Sequence, residues 1–240
     1  MVDWLTRTEL IVGVEGLDKL KAARVLVVGL GGVGAYAAEM ICRAGVGRMT
    51  IADGDKIHPS NRNRQLPALK STEGLYKATV MGDRLNDINP DLDLTVIREY
   101  IKDERMIEIL DEGFDYVVDA IDTLSPKVFL IYHSFQKKLP IVSSMGAGGK
   151  FDPAKICIAD ISETTDCNLA RILRKRLHRL GVREGVTAVF SPEVVDKSKI
   201  KIVSGEQNKA SVVGTISYMP ALFGITCASV VIRDLAGISR

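Results

Sequence analysis

The stretch ARVLVVGLGGVGAYAAEMICRAGV, residues 23–46, decides the fold. Its first part, ARVLVVGL (23–30), is a short valine-rich run suited to a strand buried on both faces. Its last part, GAYAAEMICRAGV (34–46), reads as the helix that follows. Between them GLGGVG meets the GxGxxG pattern through Gly29, Gly31 and Gly34, with Gly32 as an additional glycine. Glycines there let the backbone turn tightly and approach a phosphate, whose charge is favoured by free amide donors at the helix N-terminus. This unit binds a nucleotide but does not choose which one.

The same alternation runs on. Strand-like RMTIADGD (48–55), LDLTVIREY (92–100), FDYVVDAID (114–122) and PIVSSMG (140–146) alternate with helical 75–89, 103–113 and 126–138. That order predicts an α/β fold: a doubly wound, Rossmann-like, mostly parallel sheet with helices on both faces. After GAGG (146–149) come KICIADI, a basic helix, VTAVFSPEVV and KIKIVSG, which predict a C-terminal, partly antiparallel extension. No repeat or linker interrupts the chain. Residues 1–240 are therefore expected to form one domain, with nucleotide binding in about 5–150 and substrate-specific elaboration in about 151–240.

Composition narrows the class. With 46% hydrophobic residues, 26% charged residues and a net charge of +2, the chain is of ordinary soluble type, and any basic surface must be local. Cys42, Cys157, Cys167 and Cys227 contain no CxxC pair, which argues against structural zinc and thiol exchange and for reduced thiols in a cytoplasm. The N-terminus lacks signal-peptide features, so export is not expected. Residues 210–232 form an uncharged run long enough to span a bilayer. Gly214, Pro220 and Gly224 favour a strand or turn followed by a core or interface helix, with peripheral membrane contact left open.

Asp53 follows Gly34 by the spacing at which an acid accepts hydrogen bonds from a ribose, which NAD and ATP both have. The segment behind it, GDKIHPSNRNRQLPALKSTEGLYKATV (54–80), decides between them. Hydride transfer has no use for a second cationic cluster, whereas expelling pyrophosphate requires a triphosphate to be neutralised. Arg64 and Lys77 suit that work; the competing reading is a solvated loop. Asp122, in DAIDT, would sit at the carboxyl edge of the sheet, placed either to hold the Mg2+ of ATP or to cap the helix near Pro126.

Gly29–Gly34, Asp53–Asp55, SNRNRQ (60–65), Lys77 and DAIDT (119–123) together resemble the adenylate-forming family of ubiquitin-activating enzymes and sulfur-carrier activators, over about residues 5–150. The resemblance implies that Asp53 holds the ribose, with Asp55 beside it in the nucleotide site. It further implies that Asn61, Arg64 and Lys77 handle the phosphates and that Asp122 serves Mg-ATP. Arg7, in RTELIVG, would act on the partner subunit's nucleotide in a homodimer.

Within that family, carrier activators usually have two CxxC pairs and ubiquitin-type activators a nucleophilic cysteine in a further domain; this chain shows neither. Instead NLARILRKRLHRLGVR (168–183) sets Leu169, Ile172, Leu173, Leu177 and Leu180 on one face. Arg171, Arg174, Lys175, His178 and Arg179 are then turned outward, a footprint for phosphate backbones. The layout, including SSMGAGGKFDP and VFSPE, resembles the tRNA threonylcarbamoyladenosine dehydratase branch over nearly the whole chain. That implies tRNA as substrate and ATP-dependent ring closure with release of AMP. Sulfur-transfer or sulfur-carrier proteins stay open as partners. Carrier adenylation, a non-catalytic nucleotide-binding scaffold and an NAD-dependent dehydrogenase are the other readings.

Overall fold

The computed structural model describes residues 3–196, 198, 200–202 and 211–238. In chain order its elements are α1 (Thr6–Ala22), β1 (Arg24–Val28), α2 (Gly34–Arg43), β2 (Arg48–Ala52), α3 (Lys77–Ile88), β3 (Asp93–Ile97) and α4 (Asp103–Asp111). There follow β4 (Tyr116–Asp119), α5 (Leu124–Gln136), β5 (Ile141–Ser144), β6 (Cys157–Asp160), α6 (Asn168–Arg179), β7 (Thr187–Phe190), β8 (Ile200–Ile202), β9 (Ser211–Val213) and α7 (Tyr218–Ala236).

The main sheet has the order β3-β2-β1-β4-β5-β7-β6. All neighbours are parallel except β6, which runs antiparallel to β7 at the edge. This is the predicted α/β fold with its partly antiparallel extension. The order reverses between β1 and β4, and open sheets of this kind bind ligands beyond the carboxyl ends of their strands at such a switch point. Val28 is level with both Ala52 and Asp119, so the loops after β1, β2 and β4 leave the sheet side by side.

Two apolar layers sandwich the sheet. One joins Val25 and Val27 to α2, α3 and α7 through Ala38, Ile41, Met81, Phe223 and Val231. The other joins Leu26 and Val117 to α4, α5 and α6 through Ile109, Ile131, Leu173 and Leu177. The apolar run at 210–232 is thus largely a core helix: Met219, Phe223, Cys227 and Val231 are buried. By length and composition alone α7 could still cross a bilayer. Gly224 lets it lie directly on α2, because a Cβ there would stand 2.2 Å from the Val33 carbonyl oxygen.

Several boundaries differ from the sequence reading for local reasons. Helix α5 starts two residues before Pro126, which sits in the first turn, where its missing N–H removes no helical bond. The basic helix α6 ends at Arg179 because Gly181 turns left-handed (φ 84°). The predicted strand KIKIVSG forms over Ile200–Ile202, and the rest of it lies outside the described residues. Helix α1 was not anticipated, since Leu10, Ile11 and Val14 are exposed and blur the amphipathic stripe made by Leu17 and Leu20.

Candidate active site

The glycine loop and Asp53 are built as one unit. Gly29 N–H donates to the Ala52 carbonyl (2.8 Å), continuing the β1–β2 ladder into the turn. Gly34 must be glycine, because a Cβ there would fall 1.7 Å from the Gly29 carbonyl oxygen. Asp53 then accepts the Leu30 N–H (2.6 Å) on Oδ2 and the Asp55 N–H (2.7 Å) on Oδ1. Burial raises its pKa, opposed by the Lys77 charge and these two N–H donors. Read from sequence as a ribose acceptor, Asp53 also ties the loop after β2 to the loop after β1. Its remaining lone pairs leave room for a ribose hydroxyl.

The polar segment behind Asp53 folds back over the same edge. A 3-10 turn at Pro59–Asn61 is capped by His58, and Asn61 Oδ1 accepts the His58 N–H (3.0 Å), so the donor end of the Asn61 amide is the part suited to a phosphate. Arg64 Nη1 donates to the Ser60 carbonyl (3.0 Å) and to Asn63 Oδ1 (2.8 Å). Desolvation lowers the Arg64 pKa, and the charge of Asp122, from a separate loop, counteracts it.

Lys77 opens α3 with its side chain buried and its ammonium 2.6 Å from Asp55 Oδ2. Tyr100, which sequence reasoning missed, donates its hydroxyl to the other oxygen of Asp55. That bond, with burial, pushes the Tyr100 pKa up to about 12. Gln65, the last residue of the SNRNRQ motif, had no role of its own in the sequence reading. Its buried Oε1 has no partner among the described residues, and its amide lies beside Gly31, where a Cβ would be 3.6 Å from Nε2. An orphaned acceptor next to the glycine loop and a paired cation behind it suit a nucleotide that carries donors and a polyphosphate.

Below the site lies a network that sequence patterns do not reveal. Lys127 and Asp119 are both fully buried and 2.8 Å apart. Lys127 also donates to the Ile121 carbonyl (3.1 Å), Ser143 Oγ donates to Asp119 Oδ2 (2.6 Å), and Asp119 Oδ1 accepts the Ile121 N–H (3.1 Å). Both polar groups of Ile121, the residue before Asp122, are therefore fixed. Helix α5 has Thr123 at its N-cap position, so Asp122 lies one residue ahead of the cap.

Elsewhere the predicted residues separate. Arg7 is exposed on α1, beside exposed Trp4, Leu10, Ile11 and Val14. On α6, Arg171, Lys175, His178 and Arg179 are exposed. Arg174 corrects the sequence reading: it is half-buried, with its guanidinium donating to the Thr164 carbonyl (2.6 Å) and to the Thr164 hydroxyl, so it braces the preceding loop instead of facing outward. Burial raises the Cys42 and Cys227 thiols to about 11 and about 12, which makes them poor nucleophiles.

The model of the ThiF family matches residues 5–240. The chain belongs to the ThiF family. It is 37% identical over 242 residues to the tRNA threonylcarbamoyladenosine dehydratase of Bacillus subtilis, covering 98% of this chain and 95% of that one. The crystal structure of the Escherichia coli tRNA N6-threonylcarbamoyladenosine dehydratase in complex with ATP superposes with a TM-score of 0.88 at 34% identity, covering 96% and 93%. Another ThiF-like relative, the molybdopterin-synthase adenylyltransferase of Salmonella typhimurium, is 36% identical over only 129 residues, 54% of this chain.

Proposed function

We propose that this protein is an ATP-dependent enzyme that dehydrates threonylcarbamoyladenosine beside the tRNA anticodon to its cyclic form. The threonyl carboxylate attacks the α-phosphorus of ATP, giving an acyl-adenylate and pyrophosphate; the neighbouring ureido group then attacks the activated carbonyl, the ring closes, and AMP leaves with the carboxylate oxygen. Closure is intramolecular, so no protein nucleophile is needed, in keeping with the buried thiols. The likeness to dehydratases along nearly the whole chain carries the reading. The carrier-adenylating relative matches only about half of it.

In this reading residues 1–240 act as one adenylation unit in the cytoplasm. Gly29, Gly31, Gly32 and Gly34 approach the phosphates, while Asp53 and Asp55 order the ribose end and Lys77. Arg64, Lys77 and Asn61 meet the charge that develops on pyrophosphate. Asp122 holds Mg2+. Among the described residues no cluster of three His, Cys, Asp or Glu side chains forms a metal cage, so the triphosphate and water would complete its coordination. A homodimer would bury Leu10, Ile11 and Val14 and bring Arg7 to the partner's site.

The test is mass spectrometry of tRNA nucleosides after incubation with protein and ATP. The expected result is loss of one water from threonylcarbamoyladenosine, matched by AMP. AMP formed only with a sulfur-carrier protein, with the tRNA unchanged, would establish carrier adenylation instead.

The basic face of α6 is assigned to the tRNA backbone through Arg171, Lys175 and Arg179. Replacing all three with glutamate is expected to weaken tRNA binding and flatten its salt dependence while ATP affinity holds, because phosphate contacts act by counterion release. The thermal midpoint is expected to stay in place, since the buried Leu173 and Leu177 face is untouched. Arg174→Glu should differ by lowering stability, as it breaks the brace to Thr164. A triple variant that binds tRNA normally at moderate salt would assign the tRNA surface elsewhere.

A further inference from the structure

Phe151 and Tyr218 form a feature that neither the nucleotide site nor the basic helix uses. Phe151 is 62% exposed, yet side chains distant in sequence fix both polar groups of its backbone. Its N–H donates to Glu193 Oε1 (3.0 Å), and its carbonyl accepts the Tyr218 hydroxyl (2.8 Å). Glu193 is anchored in turn: Ser191 Oγ donates to its Oε2 (2.9 Å) and the Asp152 N–H to its Oε1 (3.1 Å). Buried Lys150 donates to the carbonyls of Ser191 (2.9 Å) and Glu193. The segments GGKFDP and SPE thus clasp one another, and the product of the clasp is a rigidly presented ring. Scattered exposed apolar residues are ordinary; one whose backbone is secured on both sides is less so.

The two rings meet edge to face, 6.0 Å between centroids and 66° between planes. Tyr218 opens α7 two residues before Pro220, which packs against Gly32 of the nucleotide loop. Just upstream, the Thr215 carbonyl accepts Asn63 Nδ2 (3.0 Å) from the Arg64 segment. The pair therefore stands at the rim of the proposed adenylation site. The carboxylates next to it already accept protein hydrogen bonds: Glu193 as above, and Asp152 from the Ala154 N–H. What is offered outward is the Phe151 ring.

We propose that Phe151, backed by Tyr218, is a stacking platform for an unstacked nucleobase flanking the modified adenosine. The inference rests on the tRNA reading above. When a base is drawn from the stack of its loop into an active site, a neighbour loses its stacking partner. Single-stranded RNA bases are held on aromatic side chains of this kind.

The probe is an anticodon stem-loop RNA containing threonylcarbamoyladenosine, with 2-aminopurine placed in turn at each flanking nucleotide. With the wild-type protein, binding is expected to quench one of the two labels. Phe151→Leu should abolish that quench and raise KM for tRNA about tenfold, leaving kcat, ATP affinity and thermal midpoint unchanged; Phe151→Trp should restore both readouts. Quenching that persists in Phe151→Leu overturns the platform. So does weakened ATP binding in that variant, which would assign the ring to the ATP adenine, or a changed oligomeric state, which would make the face a subunit interface. In each of those cases dehydration by the wild-type protein keeps the tRNA reading intact. If the wild-type protein neither binds nor dehydrates the RNA, the tRNA reading fails and the platform with it.

Discussion

Arg64→Ala and Lys77→Ala are each expected to lower the rate of AMP formation by about 10²–10³-fold, the scale of losing one preorganised charge that meets a developing anion. ATP binding should weaken far less, because in the proposed site the ground-state triphosphate would still have the glycine-loop amides. The two variants should differ in one respect. Lys77 is paired with Asp55 in the structure, so its removal leaves a half-buried carboxylate near the nucleotide phosphates and should cost additional ATP affinity; Asp55→Asn in the Lys77→Ala background is expected to recover that part and none of the rate. Among the described residues Arg64 has no such acidic partner at bonding distance, donating instead to Ser60 and Asn63 oxygens. If either variant forms AMP at the wild-type rate under saturating ATP, the assignment of that cation to pyrophosphate departure is wrong. Mixing Arg7→Ala with Lys77→Ala protein extends the test to assembly. Hybrid dimers with one intact composite site should recover a fraction of the activity, and silence despite proven subunit exchange would remove Arg7 from the partner's site.

The nucleotide half was legible because each piece has local causes. A valine-rich strand, glycines where a Cβ would collide with backbone, and an acid after the next strand are determined within short windows. Arg64 and Asp122 were each read as nucleotide-site residues, but their coupling to one another was not foreseen, since it depends on which strands lie adjacent. Arg174 shows the opposite failure. Helical periodicity placed it outward with Arg171 and Lys175, but periodicity is blind to the loop at 161–164, whose carbonyl groups draw the guanidinium in. Tyr100 was invisible for the same kind of reason, and Gln65 and Phe151 stood in quoted motifs without a role of their own. Each gains its significance from a residue far away in the chain, respectively Asp55, Gly31 and Glu193.

Lys127 carries the largest expected effect on stability. Its ammonium and the Asp119 carboxylate are fully buried, and removing one member of such a pair strands the other charge in the interior, at a cost of roughly 3–5 kcal/mol. Ser143 and the Ile121 N–H would still serve Asp119, but neither carries charge. Lys127→Met should therefore lower the thermal midpoint on the order of 10 °C for a chain of this size, and a drop of only a degree or two would mean that the pair is not a closed unit. The double variant Asp119→Leu/Lys127→Met separates stability from function. With both charges gone no buried charge is stranded and part of the midpoint should return, less the cost of leaving Ser143 Oγ and the Ile121 N–H without their acceptor. AMP formation should not return. Lys127 and Asp119 grip the two sides of Ile121, and with that grip released the following residue, Asp122, is expected to shift in the proposed site. A double variant that regained both stability and rate would show that the chain holds Asp122 in place without this network.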